Sequence, residues 1–206
     1  MIRSPSMDTR GPALALALAA LGVPAPAQSV QVAPFAGYQF GGAFSSDTYQ
    51  SGFNVESGLS YGGTLDIAIS KGWRVELLYS RQETELVPSG PAPRFDLTVE
   101  RYLVGIQEEK GVDDRTRPFG VFLLGATRFV PGLPGYSSST RFTVGLALGF
   151  KTFPSKSFGF RVEGRGFFTP VEAGASIICL DGACLFGASG NGFWQGEVSA
   201  GVVFAF

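Results

Sequence analysis

Histidine is absent from the 206 residues. Without an imidazole there is no Ser-His or Cys-His nucleophilic pair and no His-containing metal site. Cysteine is almost as rare: only Cys179 and Cys184 are present, and two thiols alone make a poor metal site. Charged residues make up 16% of the chain, against roughly 25% in soluble domains. Their balance leaves a formal net charge of −1, which argues against nucleic acid as an electrostatic partner. Beyond the first residues, no apolar run approaches the roughly 20 residues that a transmembrane helix needs. If this chain crosses a membrane, strands must do it.

What is present begins with an export pattern. Arg3 and Arg10 precede an apolar run from Ala13 to Val23, followed by Ala25-Pro26-Ala27. A charged start, a short apolar core and small residues at the cleavage positions predict a signal peptide over 1–27, with Gln28 as the mature N-terminus. No Cys follows that region, so nothing suggests a lipoprotein anchor. Residues 28–206 are then enough for one domain with a substantial interior. Glycine (29 residues) and phenylalanine (19 residues) are abundant in the chain, a combination that disfavours helices.

The expected fold is all-β. The mature chain divides into about eight alternating runs of roughly ten residues, separated by turn-rich stretches. In the last run, Trp194, Gly196, Val198, Ala200, Val202, Phe204 and Phe206 share one parity, opposite Gln195, Glu197, Ser199, Gly201, Val203 and Ala205. A strand sends successive side chains to opposite faces, so one face is apolar and aromatic while the other is small or polar. Similar splits occur at 59–69, 73–82, 141–151 and 158–168, whereas 30–40 and 117–130 are strand-like without a clear division. Connections alternate between long (41–57, 84–95, 131–139, 169–192) and short (70–72, 110–116, 154–156). An even-stranded membrane barrel with both termini at one end has this rhythm.

A soluble barrel would bury the aromatic face; a membrane barrel turns it outward. The non-aromatic faces are rich in Gly, Ala and Ser, which suit a narrow interior better than a water-facing surface. Aromatics gather at strand ends, including Tyr38, Phe40, Trp73, Phe150, Phe168, Trp194, Phe204 and Phe206, as in the girdles at bilayer interfaces. Runs of about ten residues match a tilted strand crossing the hydrocarbon. These features predict a closed antiparallel transmembrane β-barrel.

The ending from Trp194 to Phe206 resembles the last strand of bacterial outer-membrane β-barrel proteins, with its terminal Phe and alternate apolar positions. The segments Pro34-Phe35-Ala36-Gly37-Tyr38, Tyr79-Ser80-Arg81-Gln82-Glu83-Thr84, Phe95-Asp96-Leu97-Thr98-Val99-Glu100 and Arg161-Val162-Glu163-Gly164-Arg165-Gly166 are similar to small barrels of this group. The resemblance implies an eight-stranded barrel like the transmembrane domain of outer-membrane protein A, monomeric and surrounded by outer-membrane lipid. It also implies that Trp194, Val202, Phe204 and Phe206 belong to a C-terminal signal read by the barrel-assembly machinery. Arg101 departs from the pattern, because it shares the apolar parity of Leu97, Val99 and Leu103, expected to face lipid.

The inward faces are expected to carry the acids Asp66, Glu76, Glu100, Glu163 and Glu197, and the bases Arg74, Arg141, Lys151, Arg161 and Arg165. Unpaired charges in a narrow lumen are costly, so these groups are expected to interlock as ion pairs. The alternatives are a narrow ion path whose lining charges exchange partners, and a paired-carboxylate hydrolase for which no nucleophile or cleft is evident. No cofactor is implied, and the balance of features points away from an enzyme. Surface binding through the 41–57 and 169–192 loops is a further possibility. In an exported chain, Cys179 and Cys184 around Leu-Asp-Gly-Ala read as a disulfide closing a small loop.

Overall fold

A computed structural model describes residues 29–46, 51–88, 94–111, 115–132, 137–170, 175–180, 183–188 and 192–206. The expected signal peptide, 1–27, lies outside them. In chain order the strands are β1 (Val30–Phe40), β2 (Ala43–Ser46), β3 (Ser51–Val55), β4 (Gly58–Ser70), β5 (Trp73–Pro88) and β6 (Phe95–Glu109). They continue with β7 (Thr116–Pro131), β8 (Ser139–Thr152), β9 (Phe158–Thr169), β10 (Ala175–Leu180), β11 (Ala183–Ala188) and β12 (Phe193–Ala205).

Eight of these strands form the wall in the circular order β1-β4-β5-β6-β7-β8-β9-β12, every neighbour antiparallel. The β12–β1 pairing joins the last strand to the first, running from Phe40↔Gly196 to Gln31↔Ala205. Closure gives the wall strands hydrogen-bonding neighbours on both sides, the condition for a sheet to sit in hydrocarbon. At the terminal seam, Phe206 N–H donates to the Val30 carbonyl at 2.9 Å. The tight turn between β4 and β5 uses Gly72 at φ 81°, a left-handed conformation that side chains resist.

The alternation read in β4, β5, β8, β9 and β12 becomes the wall's two faces. Leu59, Tyr61, Ile67, Trp73, Leu77, Phe142, Leu148, Phe150, Phe160, Trp194, Val198, Phe204 and Phe206 are exposed outward. Gly149 shows why small residues line the inside: an added Cβ would lie 2.6 Å from Phe119 Cζ and 2.5 Å from the Val162 carbonyl oxygen. The Phe119 ring uses the space that a side chain there would take.

Two stretches expected as plain connections contain strands. In 41–57, β2 and β3 form a hairpin that joins the wall along the far end of β5, through Phe53↔Pro88 to Val55↔Leu86. In 169–192, β10 and β11 pair as a separate hairpin, with β11 against β2. The 84–95 connection is also shorter than expected, because β5 continues to Pro88 and β6 begins at Phe95. Cross-strand pairing carries the sheet past the point where alternation fades.

Candidate functional site in the barrel lumen

Eight tilted strands leave an interior about as wide as the side chains that fill it. The lumen is layered. At the end holding the termini, Ala33, Phe153, Val203 and Ala205 form a small apolar cluster. Arg117 stacks on it, its guanidinium 4.5 Å from the Phe153 ring centre.

Above this base lies a continuous ionic network. Glu109 accepts from Arg74 Nε and Arg117 Nη1, both at 3.2 Å, and lies 3.5 Å from Lys151 Nζ. Lys151 donates to Asp66 Oδ2 at 2.7 Å and Gln31 Oε1 at 2.8 Å. Arg161 is the hub: it reaches Asp66 at 3.2 Å, Glu76 at 2.7 Å, Glu163 at 2.7 Å and the Thr64 hydroxyl at 3.1 Å. Arg165 extends the network to Glu163 and Glu197. These residues come from β1, β4, β5, β6, β7, β8, β9 and β12, so the network ties together the entire wall.

The next layer is apolar, formed by Phe35, Leu78, Leu103, Phe119, Val121, Leu123, Ala147 and Phe167. It meets the charges through ring faces: Arg161 lies 4.4 Å from the Phe119 centroid, and Arg165 lies 4.2 Å from that of Phe35. Such contacts place a cation against a ring's negative face, where neither group needs water. Toward the loop end, Thr127, Thr143 and Thr169 form a hydroxyl chain at 2.6 and 2.8 Å. The Phe129 and Phe193 rings meet edge to face at 5.6 Å.

Several residues differ from the sequence expectation. Glu100 was expected inside but occupies the outward parity of β6, beside Arg81 and Arg128. Arg101 was expected toward lipid, yet is fully buried inside, hydrogen-bonded to Gln195 and stacked 4.4 Å from the Phe167 centroid. Both reversals have one cause. Leu97, Val99 and Leu103 face the interior, while Tyr102, Val104 and Ile106 face out, so hydrophobicity does not distinguish the faces of β6. Arg141 is half-buried near the start of β8, opposite Thr127.

Glu109, Arg117 and Gln31 were missed as lumen residues. Counting parity from Arg101 through Leu103 and Gln107 to Glu109 would have exposed the first, had the inward face of β6 been known. The backbone register sets Cys179 opposite Cys184 in the β10–β11 hairpin; their side chains lie outside the described residues. On β12, Trp194, Phe204 and Phe206 face outward and Val202 is half-buried. Trp194 lies 4.5 Å from Phe168, and Phe204 lies 5.9 Å from Phe158, between ring centres.

Among solved structures, Neisserial surface protein A is 18% identical with a TM-score of 0.62, the match covering 88% of this chain and 99% of that one. OprG from Pseudomonas aeruginosa is 14% identical at a TM-score of 0.55, covering 87% and 97%. The outer membrane protein AlkL is 10% identical at a TM-score of 0.53, covering 100% and 97%. At these identities the likeness concerns the fold. No curated protein matches the sequence. The family model for the outer membrane protein beta-barrel domain matches residues 13–206. With nearly the whole chain matched and the wall closed as eight antiparallel strands, the protein belongs to the outer membrane β-barrel family, whose place is the bacterial outer membrane.

Proposed function

We propose that this protein is a structural outer-membrane barrel, non-enzymatic and monomeric, whose lumen is closed by its ionic network. The observation carrying this reading is that Arg161 engages three carboxylates at once while it and its partners are almost wholly excluded from solvent. A conducting path would require these groups to separate, leaving charges without hydration or counterions. The test is single-channel recording of the folded protein in planar bilayers. A closed barrel gives no steady conductance steps above the lipid baseline; reproducible steps overturn the reading.

In this proposal residues 1–27 are removed on export, and the outward aromatic parity of β12 is the signal for the assembly machinery. The long loops face the cell exterior and the tight turns the periplasm. Cys179 and Cys184 form a disulfide across the β10–β11 hairpin, supported by their opposed register. Intact mass after alkylation, with and without prior reduction, tests it; modification without reductant overturns it. A second reading, ligand capture at the surface, is favoured by β11 lying against β2, which gives the two hairpins a shared edge.

A further inference from the structure

Among the described residues, five buried carboxylates face the lumen: Asp66, Glu76, Glu109, Glu163 and Glu197. Five buried cations pair with them in one connected set: Arg74, Arg117, Lys151, Arg161 and Arg165. That set is neutral. Arg101 is a further buried cation inside the barrel and belongs to none of these pairs. Its side chain crosses the lumen from β6 to the neutral amide of Gln195 on β12, and the Phe167 ring covers the guanidinium at 4.4 Å. The charged groups that bear on it are Glu197 and the Arg165 bound to that carboxylate, so attraction and repulsion oppose each other. Arg101 Nε and Nη1 have no hydrogen-bond partner in the protein.

Unused donors gather on the adjoining inward faces. Ser80 on β5 stands opposite Arg101, and Ser60 on β4 stands opposite Gln82, two residues further along β5. Gly37 on β1 lies between Ser60 and Ser199 in the register, and a Cβ there would come 3.0 Å from Ser60 Oγ and 2.9 Å from Ser199 Cβ. Gln39 follows two residues along β1, fully buried. The hydroxyls of Ser60, Ser80 and Ser199 and both polar atoms of the Gln39 side chain are buried without a partner in the protein. In the ionic network, by contrast, an unpartnered atom belongs to a side chain already bonded through another atom, as in Asp66, Glu76 and Arg161. Buried polar groups are normally satisfied. Water supplies hydrogen bonds to such a place, but it leaves a buried positive charge uncompensated.

We propose that the lumen binds a small monovalent anion of the halide class against Arg101. Arg101 Nε and Nη1 donate to it in charge-assisted hydrogen bonds. The Ser80 hydroxyl donates from the neighbouring strand, and Ser60, Ser199 and the Gln39 amide supply further donors from β4, β12 and β1. One negative charge balances the interior, whereas a divalent oxyanion would reverse its sign. The burial of every donor restricts the occupant to a small ion. This site goes beyond the closed-barrel reading and does not depend on it, because the charge balance is the same whether or not the lumen conducts.

The test is equilibrium urea unfolding of the full folded chain in phosphatidylcholine vesicles at constant ionic strength, with sodium gluconate exchanged for sodium chloride or sodium bromide. An ion bound only by the folded state raises the folded-to-unfolded ratio according to its concentration relative to Kd. Wild type gains about fivefold where the halide stands at roughly four times its Kd. Arg101→Met gains nothing, while Arg81→Gln, on the outer face, keeps the wild-type response. No gain in wild type, or an equal gain in Arg101→Met, overturns the proposal. Should Arg101→Met not fold, crystals of wild type grown in bromide are decisive. An anomalous peak within hydrogen-bond reach of the Arg101 guanidinium supports the proposal, and bromide found on the surface alone, an adventitious ion only, overturns it. Conductance separates this inference from the closed-barrel reading. Steady current steps with the halide response intact overturn only the closed lumen, and a silent barrel without a halide response overturns only the anion site.

Discussion

The molecule carries two sets of arginine–carboxylate contacts, separated by the thickness of its wall. Inside, Arg161 is shared among Asp66, Glu76 and Glu163 with almost no exposure. Outside, Arg81 and Arg128 flank Glu100 at longer distances and with partial exposure. The chemistry is the same and the energetics differ. Buried groups have lost their hydration, so each depends on its partners, and removing one strands the others. The outer groups keep access to water and headgroups, which compete with their mutual attraction. The inner network is therefore a set of pairings that burial demands.

Substitutions give direct ways to break that contrast. Arg161→Met leaves three buried carboxylates short of a cation and is expected to cost about 3–5 kcal/mol, measured by urea unfolding in lipid vesicles. A loss no greater than that of an outer-row variant would mean the lumen is far better hydrated than its geometry indicates. Arg101→Met sharpens the comparison within the lumen. The hydrogen bond this buried arginine makes is to the neutral Gln195, so its replacement is expected to cost about 1 kcal/mol or less. A cost matching that of Arg161→Met would show that burial alone, without carboxylate partners, sets the effect. Smallest is Glu100→Gln, expected to change stability by less than about 1 kcal/mol, with any difference fading at high salt. A large, salt-independent loss would place Glu100 energetically with the inner set.

Much of this architecture is legible in particular residues. The run Trp73-Arg74-Val75-Glu76-Leu77 announces its two faces because lipid on one side and a charged interior on the other demand different chemistry. The same contrast makes Lys151, Arg161, Glu163 and Arg165 recognisable as lumen residues before their partners are known. It fails on β6, where an apolar layer inside faces apolar lipid outside, and Glu100 and Arg101 exchange places. The β2–β3 hairpin is hidden for another reason: strands of four and five residues are too short to establish a period.

The sequence by itself determined the class of protein: alternation, aromatic strand ends and scarce charge define a membrane barrel. It could not determine which charges meet, because the contacts of Arg161 to Asp66 and Glu76 span 95 and 85 residues. Those distances close only when the wall does. Strand register then fixes each side chain's height as well as its face, so only the closed barrel could send Arg101 inward and set Glu100 among the outward arginines.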